Sequence, residues 1–128
     1  MTEARRARGT AARLSGRKAE WRAALLLMLK GYRILGFRLK TSAGEIDLLA
    51  LRGRTLAVVE VKRRSTLEAA LECVRPDQRE RLRRAGRLIA DRRRGLKGVF
   101  VRLDLVALAP GRWPRHIVDA WKGDSPPR

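Results

Sequence analysis

Cysteine, histidine and aromatic side chains are scarce: the 128 residues hold one Cys, one His, one Tyr, two Phe and three Trp. A lone Cys73 excludes an internal disulfide framework and is compatible with a reducing cytoplasm. Its simplest role is that of a small core residue. His116 has no Cys, Ser or carboxylate partner at a recognisable spacing, so it is assigned no catalysis. Long apolar runs are also missing. The stretch from Ala23 to Leu29 is too short to span a bilayer and has no small-residue cleavage site after it, so neither a membrane nor secretion is expected. Acidic residues are few, 13 Asp and Glu against 31 Lys and Arg, for a net charge of +18. Such a charge speaks of partners rather than fold: nucleic acid leads, and an anionic membrane surface is second. The length allows one domain with one core.

What is present divides the chain into a basic tail over residues 1–15, a folded domain over 16–121 and a polar tail over 122–128. Strong helix formers run from Gly16 to Lys30, with Gly31 placed as a C-terminal cap. Residues 32–39 alternate as a strand, with Gly36 marking a bulge, and Lys40 to Ala43 turn into a second strand. Residues 66–74 leave a helical turn and a loop both open. A helix starts at Pro76, suited to the first helical position, with Asp77 in the first turn, and Gly95 is the expected stop. Its buried stripe is Leu82, Ala85, Leu88 and Ile89. Val99 to Leu108 is a strand that, after a crossover helix, should lie parallel to a neighbour. Asp104 within it is expected to pair with Arg102 or another Arg. Residues 117–121 read as a short final strand, and Trp113 and Trp121 as packing residues rather than base-stacking ones. The fold class is α/β: an antiparallel three-strand meander, a crossover helix and further strands in one mixed sheet flanked by helices.

The centre of this arrangement is the stretch from Gly44 to Arg63. Residues 46–51 and 55–61 are two apolar runs of strand length around a two-residue turn, Gly53-Arg54. Continuing the register that this turn sets brings Asp47 opposite Glu60 and Glu45 opposite Lys62. Opposed side chains on one face have Cβ atoms roughly 4.5–5.5 Å apart. Like charges so placed, on a strand apolar on both faces, are unfavourable unless something positive joins them. A divalent cation answers both costs, and oxygen-only donors suit Mg²⁺ or Mn²⁺ rather than Zn²⁺. Lys62 beside them offers a charge to a phosphate or an attacking hydroxide. Asp followed by Glu-x-Lys on the next strand is therefore a phosphodiester-cleaving constellation.

The wording Gly44-Glu45-Ile46-Asp47-Leu48-Leu49-Ala50, then Val59-Glu60-Val61-Lys62-Arg63-Arg64, resembles the restriction-endonuclease-like nucleases. Within them it is similar to the YraN family of predicted endonucleases, distantly similar to archaeal Holliday-junction resolvases. The likeness runs from about Gly16 to Trp121 and includes Gly31-Tyr32-Arg33-Ile34-Leu35 and His116-Ile117-Val118-Asp119-Ala120-Trp121. It implies a metal-dependent endonuclease acting on DNA, branched DNA included. Resolvases act as symmetric dimers, so it also implies a homodimer. By the same analogy the carbonyl of Val61 is a further metal ligand, and Glu20 on the first helix approaches the site.

Glu20 also stands out by itself, because Ala23, Ala24 and Leu27 lie on the same helical face. An acid there needs either a metal or an ion pair with Arg17, Arg22 or another base. Glu45 is expected to tune Lys62 across the hairpin. The family carries Gly where this chain has Ala19, and Lys-Gln where it has Gln78-Arg79, so Gln78 stands in place of the Lys as a supporting residue able to hydrogen-bond the site or a phosphate. Arg63, Arg64, Arg79 and Arg83 are the candidate phosphate contacts, with simple solvation as the alternative. Two rivals to the nuclease stand beside it. One is a nucleic-acid-binding module of the same fold that cuts nothing. The other is a basic domain whose hairpin charges form ordinary pairs and which associates with anionic lipid or ribosomal RNA.

Overall fold

The computed structural model describes residues 17–124. The two expected tails, 1–15 and most of 122–128, lie outside them. Helix α1 covers residues 17–29 and is followed by strands β1 (Arg33–Thr41), β2 (Gly44–Arg52) and β3 (Thr55–Arg63). Helices α2 (Leu67–Glu72) and α3 (Pro76–Arg92), a 3₁₀ turn (Arg94–Leu96), and strands β4 (Phe100–Leu108) and β5 (Arg115–Ile117) complete the chain. The five strands form one sheet in sequence order. All neighbours are antiparallel except β3 and β4, which run parallel and are joined through the α3 crossover. The expected α/β class and mixed sheet stand. Among the described residues no helix is long and apolar enough to cross a membrane.

Period-two alternation on β3 sorts the core into two layers. Ala57 and Val59 pack with Ala23, Ala24 and Leu27 of α1, whereas Leu56 and Val58 pack with Leu82, Ala85 and Ala90 of α3. Gly86 lets α3 come close: a Cβ there would stand 2.5 Å from a Val58 methyl. Thr66 caps α2 by accepting the Ala69 N–H, which resolves the open stretch as helix. Two boundaries differ from expectation. Helix α3 stops at Arg92, before Gly95, because the chain tightens into the 3₁₀ turn. The last strand is Arg115–Ile117 rather than 117–121, because Asp119 takes a left-handed backbone (φ 50) and its N–H turns back to Asp104.

The β2–β3 turn is the two-residue one, with Gly53 at φ 59 and Arg52 paired to Thr55. The β1–β2 hairpin is less regular. Phe37 pairs with Leu48 and both pack on the α1 side, yet the next direct pair, Leu39 and Ile46, packs on the α3 side. Pairs two residues apart ordinarily share a face. The exchange of faces falls at Arg38, whose φ of 49 is left-handed, and at Asp47 opposite it.

Candidate functional site

Asp47 sits where the β2–β3 ladder ends. Backbone pairing is continuous from Arg52–Thr55 to Leu48–Val59 and stops there. Beyond it the Val61 N–H donates to Asp47 Oδ2 at 2.9 Å, so a side chain takes the place of the partner strand's carbonyl. Since a strand residue's N–H and C=O leave on the same edge, the Val61 carbonyl lies on this opened edge too. Glu60 is 3% exposed, and its carboxyl is within hydrogen-bonding reach of Asp47. Lys62 Nζ stands 3.5 Å from Glu60 Oε2. Burial first, and then the charge of Asp47, push the Glu60 carboxyl up to about 8 against the opposing pull of Lys62. Near neutral pH Glu60 therefore holds a proton that a closer or stronger positive charge would displace. The geometric core of the sequence expectation, Asp47, Glu60 and Lys62 together, is present.

Glu20 takes the ion-pair alternative, and Lys62 has a partner other than the expected one. Both carboxylate oxygens of Glu20 accept from Arg38 Nε, at 2.8 and 3.0 Å, so Glu20 ends in an ion pair with a strand residue. The hydrogen bond to Glu20, with the charges of Glu20, Glu45 and Asp47, holds the Arg38 guanidinium above its usual pKa. Glu45 pairs in register with Lys40 of β1 and is exposed, while Lys62 pairs with Glu60 on its own strand. The expected tuning of Lys62 by Glu45 is thus replaced by a closer partner two residues away. Two neighbouring oxygen-donor carboxyls, one forced towards neutrality for want of positive charge, suit a small divalent cation. Among the described residues no three of His, Cys, Asp and Glu gather to hold an ion.

The arginines of α3 have other work. Arg79 and Arg83 both grip Asp124, at 3.1 and 2.9 Å, and Arg79 also lies over the Trp121 ring. They anchor a turn in the stretch expected to be a loose tail, and so are not presented as phosphate contacts. Gln78 is half-buried and makes no side-chain hydrogen bond among the described residues. Arg63 and Arg64 line a cavity of about 450 Å³ with Arg22 of α1.

A second polar cluster escaped the spacing of the sequence. Asp104 is fully buried and receives Arg102 at 2.8 Å, the Asp119 N–H at 2.9 Å and His116 Nε2 at 2.8 Å. Lys30 Nζ lies 2.6 Å from the other ring nitrogen, and Arg102 also donates to the Tyr32 hydroxyl. Burial would raise the Asp104 carboxyl, but the bonds from His116, Arg102 and the Asp119 N–H outweigh it and hold the group at about 2. The expected pairing of Arg102 with Asp104 is there; the His was missed because its partner lies across the β4–β5 hairpin. Arg38 was missed as well. Its signal was legible, since a two-residue turn at Ser42-Ala43 sets residue 38 against Asp47.

The likeness to known proteins takes in this whole region. A family profile described as Uncharacterised protein family UPF0102 matches residues 19–108, which include Glu20, Asp47, Glu60 and Lys62. A UPF0102 protein of Caulobacter vibrioides is 66% identical over 119 residues, covering 93% of this chain and 95% of the relative. Another from Caulobacter sp. strain K31 is 68% identical over 117 residues, covering 91% and 84%. A third, from Parvibaculum lavamentivorans, is 51% identical over 116 residues, covering 91% and 87%. A match of that extent agrees with the resemblance carried by the hairpin, and the chain belongs to the uncharacterised protein family UPF0102.

Proposed function

We propose that this protein is a metal-dependent nuclease that hydrolyses phosphodiester bonds of nucleic acid, DNA in the first place. The observation that supports it is the meeting of Asp47 with the buried Glu60 beside Lys62, where burial and like charge push Glu60 to about 8. Asp47, Glu60 and the Val61 carbonyl would hold Mg²⁺ or Mn²⁺. Such an ion supplies Lewis acidity towards water and the phosphate oxygens. Lys62 steadies negative charge that builds on the phosphate, or orients the attacking water, from its place two residues along β3. Asp47 fixes the edge of β3 through the Val61 N–H, so the acid and the carbonyl keep one geometry. Arg63 and Arg64, which directly follow Lys62, would contact phosphates of the nucleic-acid backbone.

The non-cutting module is the second reading, favoured by the engagement of Glu20 with Arg38. Labelled branched, linear and single-stranded DNA incubated with Mn²⁺, with Mg²⁺ and with chelator separates the two. Asp47→Asn is expected to abolish metal-dependent cleavage, by a factor of about 10² or more, while leaving DNA binding in chelator unchanged. Equal cutting by the variant and the parent would falsify the assignment. Binding without cutting by the parent in either metal selects the module.

A further inference from the structure

Trp113 is 89% exposed, against 7% for Trp121. Trp121 is buried and its indole N–H donates to the Leu71 carbonyl at 3.2 Å. Trp21 is exposed but its ring lies 5.2 Å from that of Phe37. Trp113 has no ring partner of this kind among the described residues. An indole offers a large flat apolar face with one polar edge, so one left uncovered in water is a platform for a flat partner.

Its surroundings are specific. Trp113 forms a wall of a cavity of about 250 Å³ that also involves Arg64, Arg112 and Arg115. That cavity shares Arg64, Ser65, Leu108 and Ala109 with the 450 Å³ cavity lined by Arg22 and Arg63, so the two adjoin along these residues and are taken together as one groove. The groove opens at the carboxyl ends of the parallel strands β3 and β4, where Arg63 pairs with Leu108. Ligand sites favour that end of parallel strands. Glu60 and Lys62 precede Arg63 on the same strand, with about 13 Å of strand between Glu60 and Arg64. Arg22, Arg112 and Arg115 make no ion pair with a described carboxylate. Glu68 is the one acid in the wall. The loop that carries Trp113 is stiffened by Pro110 and Pro114 and by a turn in which the Arg112 N–H donates to the Ala109 carbonyl at 3.2 Å.

We infer that this groove receives unpaired nucleotides: Trp113 stacks on a base that no complementary strand covers, and Arg64, Arg112 and Arg115 meet the neighbouring phosphates. Stacked bases inside a duplex have no free face for an indole, so the groove selects single-stranded or splayed segments over continuous duplex. The inference deepens the nuclease reading, on which it rests for its substrate, by placing an unpaired segment beside the cutting site.

Binding is measured by fluorescence anisotropy in chelator, so that nothing is cut, with labelled oligothymidylate and with a blunt duplex of equal length. Trp113→Ala is expected to weaken oligothymidylate binding roughly tenfold and duplex binding by less than about twofold, with Trp113→Phe keeping most of the affinity. Equal loss on both ligands, or loss on neither, overturns the inference. Sedimentation of the same variants gives the other outcome. If Trp113→Ala turns a dimer into a monomer, the indole belongs to a contact between copies and the inference falls. Cleavage keeps the two proposals apart: no cutting by the parent in either metal sinks the nuclease and leaves the groove, continued cutting by Asp47→Asn sinks only the assignment of the cutting site, and lost cutting by that variant with unchanged Trp113→Ala binding sinks the groove alone.

Discussion

At Glu60 burial and a neighbouring charge act in the same direction. A carboxyl whose folded pKa of about 8 exceeds its ordinary 4.5 binds more protons folded than unfolded between those values. Stability should therefore be greatest below about pH 5 for this group and decline as pH rises through about 8, by a few kcal/mol. Urea unfolding at successive pH values is expected to show that decline, and Glu60→Gln to flatten it. A parent with no slope over this range removes the premise of a compressed acid pair. Asp104 runs the other way. Its depressed pKa contributes stability that is present above about 4 and lost as pH falls towards 2. Two buried carboxyls thus titrate oppositely because one faces another acid and the other faces Arg102 and His116.

Between α1 and the first hairpin the decisive feature is a conformation that no propensity scale suggests. Arg38 takes a left-handed backbone at the point where the β1–β2 hairpin changes faces, and its guanidinium lies on Glu20. Removing that charge should make the acids around it more hospitable to a cation. Arg38→Met is expected to tighten Mn²⁺ binding several-fold in calorimetry, roughly the effect of deleting one partly screened charge. Unchanged affinity means that the guanidinium is too far from Asp47 and Glu60 to matter. Much of this region was legible beforehand. The Gly53 turn told the register, the register set Asp47 beside Glu60, and the alternation of β3 told which residues entered each core layer. The rest was not, for physical reasons. Lys62 chose Glu60 over Glu45 because the ladder opens after Leu48, and no pattern of residue types announces where a ladder ends. His116 and Asp104 are twelve positions apart and meet only through a hairpin. Trp113 read as packing because sequence cannot tell an exposed indole from a covered one.

For the molecule as a whole, the charge of +18 and the sheet layout point to one rim. Part of the basic charge is internally engaged: Arg79 and Arg83 hold Asp124, and Arg102 holds Asp104. The groove along the carboxyl ends of β3 and β4 keeps Arg22, Arg64, Arg112 and Arg115 together. If these four arginines each meet a phosphate of an unpaired strand, affinity for oligothymidylate should fall by roughly 50-fold between about 50 and about 200 mM salt. Anisotropy titrations across that range check it, and a drop below about tenfold means that the charge is spread over the surface rather than gathered on one face. The class of fold followed from the order of apolar runs. The rim did not, because residues 22, 64 and 113 become neighbours only once α1 and the β4 loop are laid on the same edge.

The unzipped end of the second hairpin leaves a single main-chain proton, that of Val61, answering to a carboxylate instead of a carbonyl. Whatever competes for that oxygen, be it a hydrogen ion or a doubly charged one, must loosen its hold on the amide. One resonance thereby becomes the protein's own gauge of what occupies its acidic pocket, with no label attached.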